Sequence, residues 1–144
     1  MTEFSVDPGI AGLTHVLCDW HLSRVLLVNE SRYHWGLLVP RRVGLMEIYD
    51  LTSGDQEQLI NEITRLSKII RSLPGVEKIN VAALGNITAQ LHVHVVGRFK
   101  GDPAWPGPVF GHSPPQPWSS REDAPLTHAI QLEVVASSDG AKYC

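Results

Sequence analysis

The chain has 144 residues, of which 43% are hydrophobic and 19% are charged. This composition is typical of a folded globular protein and excludes a disordered or low-complexity chain, so we expect one domain over residues 1–144. The formal net charge of −3 argues against a broad basic surface for polymeric nucleic acid or an anionic membrane, although a local basic cluster could still bind a phosphate.

The cysteines and the absence of targeting patterns bear on location. Cys18 and Cys144 show no Cys-x-x-Cys spacing, and two cysteines are too few for a disulfide framework, so we expect free thiols. The first residues lack the pattern of a signal peptide, and no segment approaches the ~20 apolar residues of a membrane span. By default, these observations predict a cytoplasmic protein without a membrane partner.

The first part of the chain predicts a helix followed by a hairpin. Asp7 and Pro8 have the residue types of an N-cap and of the first helical position. Four apolar residues follow at helical spacing: Leu13, Val16, Leu17 and Trp20. We therefore predict a short amphipathic helix. The apolar runs 24–28 and 36–39, with a polar stretch between them, predict two strands joined in a hairpin.

The segment 53–73 gives the strongest helix prediction. Ser53 and Gln56 form a capping-box pattern at its start, and Pro74 with Gly75 would end it. Behind the cap, apolar residues follow in steps of four and three: Leu59, Ile63, Leu66, Ile70 and Leu73. This spacing predicts a long helix with one buried face.

Two strands, a loop and an ambiguous segment complete the chain. Residues 76–84 and 89–98 are rich in β-branched residues and flank a turn near Gly85, which predicts two further strands. The segment 101–118 is crowded with proline, glycine and tryptophan and predicts an ordered loop. Residues 126–136 fit either a helix or a strand, and we favour a helix.

The stretch Q-L-H-V-H-V-V-G-R, residues 90–98, holds the candidate chemistry. Because side chains alternate along a strand, Gln90, His92 and His94 would share one face. Leu91, Val93 and Val95 would share the other. One face of this strand is therefore expected to build the core and the other to build a site.

Three interpretations of the two histidines remain open on these grounds. They could decorate a solvated sheet face. They could bind zinc with a third ligand from another histidine; the other histidines are His15, His21, His34, His112 and His128. Alternatively, a neutral imidazole could attack phosphorus and leave a phosphoramidate for water to cleave, which requires the ring to be held in one tautomer, usually by a backbone carbonyl.

The sequence resembles a known family at this point. Q-L-H-V-H-V-V is similar to the histidine triad motif, His-φ-His-φ-His-φ-φ, of the HIT superfamily of nucleotide hydrolases and transferases. L-L-V-P-R-R-V at 37–43 resembles the family's strand that ends in Val-Ile-Pro-Lys-Arg-His, and E-I-Y-D-L at 47–51 resembles the opening of its long helix. The resemblance covers about residues 20–111. It implies an α+β fold, an antiparallel sheet with the long helix on one face and a nucleotide site on the other, and a two-fold homodimer.

The resemblance also implies roles for individual residues. His92 would be the nucleophile on the α-phosphate, and His94 would contact phosphate or the leaving group. Asn29 would hold the ribose, although a hairpin-turn asparagine is an equal alternative. Backbone and small polar groups would contact the phosphates, unless they form only a tight turn: Gly85, Asn86 and Thr88.

Other residues could complete such a site. Positive charge for a phosphate could come from Arg98 and Lys100, or from Arg41 and Arg42, although solvated surface charge is the commoner role. Trp105 and Phe110 could stack on a nucleobase or simply pack.

Two departures from the family pattern affect the functional prediction. Gln90 replaces the first histidine of the triad, and Val43 replaces the histidine of the Pro-Lys-Arg-His segment. Glutamine can orient a neighbour or a phosphate but cannot titrate near pH 7. We predict cleavage at the α-phosphate of a dinucleoside polyphosphate or nucleoside phosphoramidate, with no cofactor. The alternatives are a nucleotide-binding module with little turnover and a metal-dependent hydrolase that uses the His-x-His pair.

Overall fold

A five-stranded antiparallel sheet forms the centre of the computed structural model, which describes residues 3–136. The elements follow in this order: α1 (Pro8–Ala11), β1 (Thr14–Asp19), β2 (Ser23–Val28), β3 (His34–Pro40), α2 (Ser53–Arg71), β4 (Lys78–Ala82), β5 (Val93–Arg98) and α3 (Pro125–Ala136). The strand order in the sheet is β1-β2-β3-β5-β4, and every neighbouring pair is antiparallel. The predicted α+β fold is confirmed.

The hairpin and the long helix were predicted correctly. Strands β2 and β3 pair directly, and α2 ends at Arg71, shortly before Pro74. The predicted cap is wrong by one residue. Thr52 is the N-cap, and its hydroxyl accepts a hydrogen bond from the backbone N–H of Asp55 at 3.1 Å. The favoured helix in the last segment is confirmed as α3.

The predicted first helix is wrong. Only the four residues of α1 are helical, and Thr14–Asp19 forms the edge strand β1. The pairing of β1 with β2 shifts between Val16 and Cys18, so Leu17 and Cys18 are both buried. Such an irregularity breaks the two-residue alternation of a strand. The apolar residues therefore imitate helical spacing.

Strands β4 and β5 are shorter than predicted, and Gln90 and His92 precede the first residue of β5. The alternation nevertheless continues through this extended segment. Leu91, Val93 and Val95 are buried in the main core. The predicted division into a core face and a site face is therefore present.

Helix α2 lies close against the sheet because two glycines leave room for it. A Cβ atom at Gly36 would lie 2.9 Å from Cδ2 of Leu66, and one at Gly97 would lie 2.8 Å from Cγ2 of Ile70. Both separations are too short for a real side chain. On the opposite face, two smaller clusters form beneath the N-terminal segment and the loop after β5.

The loop after β5 is anchored by a buried ion pair. Arg98 is 1% exposed and donates to both carboxylate oxygens of Asp102, at 2.8 Å and 3.0 Å. Arg98 also donates to the side chain of Asn80 and to the carbonyl of Gly107. Residues 101–118 contain no helix or strand, as predicted, and these bonds fix the path of the loop.

Two further observations concern the cysteines and the lengths of the helices. The prediction of a free thiol at position 18 is wrong, because Cys18 is disulfide-bonded; Cys144 lies outside the described residues. Within residues 3–136, no helix is both long and apolar enough to cross a membrane.

Candidate active site

A cavity of about 670 Å³ lies on the face of the sheet opposite α2. Its walls come from four parts of the chain: residues 9–14, 28–37, 84–88 and 109–117. His92 and His94 both line it. The site face predicted from the histidine spacing is thus the floor of a cavity large enough for a nucleotide-sized ligand.

His92 is held by the main chain. Its Nδ1 lies 2.6 Å from the backbone carbonyl oxygen of Gln90. Because a carbonyl only accepts hydrogen bonds, Nδ1 must carry the proton. The neutral ring then has an unprotonated Nε2, whose lone pair is available to attack an electrophile.

His94 lies among aromatic rings. Its centroid is 5.1 Å from that of His92 and 4.8 Å from that of Phe110. The indole Nε1 of Trp35 donates to Nδ1 of His94 at 3.1 Å. Burial, and next the charge of His92, lower the pKa of His94 to about 4. The ring is therefore neutral near pH 7.

The lowered pKa of His94 predicts a loss of stability in mild acid. The unfolded chain binds this proton near pH 6.5 and the folded chain only near pH 4, so the free energy of unfolding falls as pH decreases between these values. A shift from 6.5 to about 4 corresponds to about 3 kcal/mol. Burial also lowers the pKa of His34, which adds to the loss. Urea unfolding at steps between pH 7 and pH 4 measures it.

A His94→Phe variant is the control for this pH dependence. It removes the titrating group, so the slope of unfolding free energy against pH between 6.5 and 4 should become shallower. Burial alone would raise the pKa of the carboxyl groups of Glu30 and Asp102. Hydrogen bonds from Arg32 to Glu30 and from Arg98 to Asp102 outweigh this effect, so both pKa values are lowered. The contribution of these two carboxylates to the free energy of unfolding is therefore lost only at lower pH. It cannot produce the slope that is assigned to His94. An unchanged slope in the variant would contradict the assignment.

The structure places four of the predicted substrate-binding residues at the cavity: Asn29, Gly85, Asn86 and Thr88. Gly85 has φ +73°, a conformation that favours glycine. Oδ1 of Asn29 accepts a hydrogen bond from the backbone N–H of Trp118 at 2.9 Å, so Asn29 also attaches the end of the loop to the β2–β3 turn. Its Nδ2 is the group that could contact a ligand.

Gln90 does not have the position predicted for it. It does not line the cavity, and its side chain bonds the N-terminal segment. Nε2 donates to the carbonyl of Ser5 at 2.8 Å, and Oε1 accepts the N–H of Asp7 at 2.8 Å. Its backbone carbonyl orients His92, while its side chain attaches the segment that contributes Gly9 and Ile10 to the cavity wall.

A Gln90→Ala variant should therefore lose stability but little turnover. The backbone carbonyl remains, so kcat should stay within about threefold of wild type. KM should rise, because the wall at Gly9 and Ile10 loosens. Loss of the two bonds to Ser5 and Asp7 should reduce the free energy of unfolding by about 1–2 kcal/mol. Steady-state kinetics and urea unfolding measure these effects.

Gln56→Ala is the matched control for this prediction. Gln56 also bonds a backbone carbonyl, that of Leu51, but it lies at the start of α2 and does not line the cavity. Faster hydrogen exchange at Asp7 and Gly9 should occur only in Gln90→Ala. A hundredfold fall in kcat of Gln90→Ala would contradict a purely structural role for the side chain.

The predicted sources of positive charge lie elsewhere. Arg98 is buried in its ion pair with Asp102 and does not line the cavity, so the prediction that it contacts phosphate is wrong. Three other candidates are likewise absent from the lining: Arg41, Arg42 and Lys100. Among the described residues that line the cavity, Arg32 is the only arginine or lysine, and it is ion-paired with Glu30.

The two aromatic candidates have different positions. Phe110 lines the cavity, whereas Trp105 does not and instead packs beneath the guanidinium of Arg98, 5.7 Å from its ring centroid. Sequence reasoning missed Trp35, which contacts His94. The alternation of Trp35 and Leu37 on β3, continued by Tyr33 just before the strand, was the available signal. Val43, the second departure from the triad family, is exposed and outside the lining.

The zinc interpretation gains no support from the geometry. No group of three or more His, Cys, Asp or Glu side chains arranged to hold a metal occurs within the described part of the chain. The Nδ1 atoms of His92 and His94 are both engaged by other groups, which leaves one nitrogen on each ring.

Comparison with known proteins agrees with the fold and the motif. The HIT domain family matches residues 13–101. A histidine triad protein from Marinobacter aquaeolei VT8 is 42% identical, with a TM-score of 0.86 over 91% of this chain and 96% of that chain. A histidine triad protein from Bradyrhizobium japonicum is 38% identical, with a TM-score of 0.86 over 91% and 98% of the two chains.

A third relative extends this agreement. A histidine triad protein from Sinorhizobium meliloti 1021 is 37% identical, with a TM-score of 0.85 over 90% of this chain and 96% of that chain. A search of curated proteins returned no significant match. The family match, the shared fold and the paired histidines on the cavity floor lead to one conclusion: the chain belongs to the HIT domain family.

Proposed function

We propose that this protein cleaves a phosphoanhydride or phosphoramidate bond at the α-phosphate of a nucleotide. A dinucleoside polyphosphate or a nucleoside phosphoramidate would be the substrate. The observation that carries the proposal is the 2.6 Å hydrogen bond from Nδ1 of His92 to the carbonyl of Gln90. It leaves Nε2 of a cavity-lining histidine unprotonated, as nucleophilic catalysis requires.

The proposed reaction has two displacements. Nε2 of His92 forms a bond to the α-phosphorus, and the bond from phosphorus to the leaving group breaks with its electron pair on the leaving group. Water then attacks the phosphorus of the nucleotidyl-histidine, and the N–P bond breaks with its electron pair on Nε2. The nucleoside monophosphate leaves with the water oxygen, and the proton lost by that water passes to the solvent or to the released leaving group. His92 returns to its neutral state, so no cofactor is consumed.

The cavity supports a nucleotide as the ligand. Its volume of about 670 Å³ lies within the range of small-molecule sites. The lining includes apolar residues that suit a base and ribose: Ile10, Leu13, Val28 and Leu37. Asn86, Thr88 and the backbone of Gly85 lie on the same cavity and can donate to phosphate oxygens.

The experiment is hydrolysis of a panel of dinucleoside polyphosphates and nucleoside phosphoramidates at neutral pH with a chelator present. We expect release of nucleoside monophosphate, and a nucleotidyl adduct on His92 by mass spectrometry after rapid acid-free quenching. No release from any substrate, together with nucleotide binding by calorimetry, would favour the binding module. Release that needs added metal would favour the metal-dependent hydrolase.

The homodimer and the cytoplasmic location stay predictions.

A further inference from the structure

The two cavity histidines are held in opposite tautomers. The carbonyl of Gln90 accepts a hydrogen bond from Nδ1 of His92, whereas Trp35 donates one to Nδ1 of His94. An indole N–H can only donate, so Nδ1 of His94 must be unprotonated and the proton of the neutral ring must lie on Nε2. One ring presents a lone pair at Nε2, and the neighbouring ring presents an N–H.

We propose that Trp35 is a positioning residue, which holds His94 as the Nε2–H tautomer so that this ring donates a hydrogen bond to the α-phosphate or the leaving group. This inference rests on the proposed function for the identity of the acceptor. The tautomer itself depends only on the contact between Trp35 and His94, so it can be tested without turnover.

Trp35 is placed to impose this choice because its indole is fixed on several sides. The residue is 9% exposed and belongs to a cluster with Tyr33, Val96 and Val109. Its ring meets Tyr33 edge-on at 6.2 Å and Phe110 at 5.8 Å between centroids. Strand pairing sets it opposite Val96, diagonal to His94 on the same face. The donor therefore has a defined direction.

The tautomer determines what His94 can do. If the neutral ring gave up its Nε2 proton, it would become an imidazolate anion. Trp35 only donates a hydrogen bond to Nδ1 and does not transfer a proton that would keep the ring neutral. His94 therefore stabilises negative charge through a hydrogen bond and keeps its proton. With the lowered pKa of His94, the imidazolium form that could act as a general acid is scarce near pH 7.

Several titratable groups face His94 and bear on a pH measurement. His92 comes from the segment before β5, Tyr33 from the residue before β3, and His112 from the loop on the cavity wall. Glu30 and Arg32 line the cavity as an ion pair. Of these, His92 is the group whose charge lowers the pKa of His94, so the two rings must be observed separately.

A Trp35→Phe variant tests the proposal, because it removes the N–H donor but keeps an aromatic ring. In ¹⁵N NMR of histidine-labelled protein, wild type should show the Nε2–H tautomer at His94, and the variant should show a mixture. Since the donor favours the neutral ring, the pKa of His94 should rise in the variant. The acid limb of the kcat profile should move to higher pH with it.

The kinetic effect should be confined to the chemical step. We expect kcat to fall by about 3- to 10-fold in Trp35→Phe with little change in KM. The same substitution in a His94→Phe background should cause no further loss, because the residue through which Trp35 acts is gone. Trp20→Phe is the matched control: Trp20 is buried in the main core, its Nε1 has no hydrogen-bond partner among residues 3–136, and it does not line the cavity.

An unchanged tautomer and pKa of His94 in Trp35→Phe would overturn the proposal. If that variant does not fold, benzothienylalanine at position 35 keeps the shape of tryptophan without the N–H and gives the same test. The wild type could instead show the Nε2–H tautomer, and the variant could lose it, while neither protein hydrolyses any substrate. That result would support the positioning role of Trp35 and reject the proposed reaction. The two failures are therefore distinguishable.

Discussion

A His92→Ala variant should lose nucleoside monophosphate release, with kcat lowered by about 10⁴-fold or more. The reason is that the variant has no atom to form the first bond to phosphorus, and the remaining cavity can only bind the nucleotide. His92 is partly exposed, so the fold and the affinity for a nucleoside monophosphate should persist. Product release by chromatography and binding by calorimetry measure the two effects separately.

His128→Ala is the control for this experiment. His128 also bonds a backbone carbonyl, that of Glu122, but it is exposed and does not line the cavity, so turnover should match wild type. Retention of a tenth or more of wild-type kcat in His92→Ala would reject covalent catalysis by His92. Trapping the adduct on another residue would have the same consequence.

The second large effect is expected from Asp102→Ala, which should reduce the free energy of unfolding by about 3–5 kcal/mol. The substitution leaves the guanidinium of Arg98 buried without its countercharge. It also removes the acceptor for the backbone N–H groups of Phe99 and Trp105, at 3.2 Å and 2.7 Å. Urea unfolding monitored by circular dichroism measures the change.

An exposed ion pair provides the comparison. Asp55 receives two hydrogen bonds from Arg42 on the surface, and Asp55→Ala should cost about 1 kcal/mol or less. Activity should also fall in Asp102→Ala, because the anchored loop carries Phe110 to His94. Equal losses of stability in the two variants would show that burial of the Arg98 pair has no special effect.

Local patterns predicted most of the helices and strands, whereas their arrangement in an α+β fold was implied by the family resemblance. The apolar spacing of Leu59, Leu66 and Ile70 predicted α2, and the alternation around Val93 and Val95 separated the core from the site. The same patterns failed at Leu17 and Cys18, where an irregular strand buries two successive residues. Periodicity depends on regular geometry, so it cannot identify a strand that is bulged.

The candidate site was harder to predict from the sequence, because its side-chain contacts join residues from different parts of the chain or depend on turn geometry. Arg98 and Asp102 are four residues apart, yet their pairing depends on a turn that the sequence does not specify. The contact of Trp35 with His94 depends on the register between β3 and β5. The role of Gln90 was predicted from its side chain, but the group that orients His92 is its backbone carbonyl. Only three-dimensional pairing reveals these relations.

The order in which the chain is synthesised has a consequence for the aromatic cluster on the site face. All five strands precede residue 99, whereas Val109 and Phe110, which cover Tyr33, Trp35 and Val96, come later. Proteins emerge with the N-terminal part first, and exposed apolar surface makes partly folded chains prone to aggregate. A nascent sheet would therefore present its aromatic residues to solvent until the covering loop is made. We therefore expect the segment that completes the cavity to shield the growing chain from self-association as well.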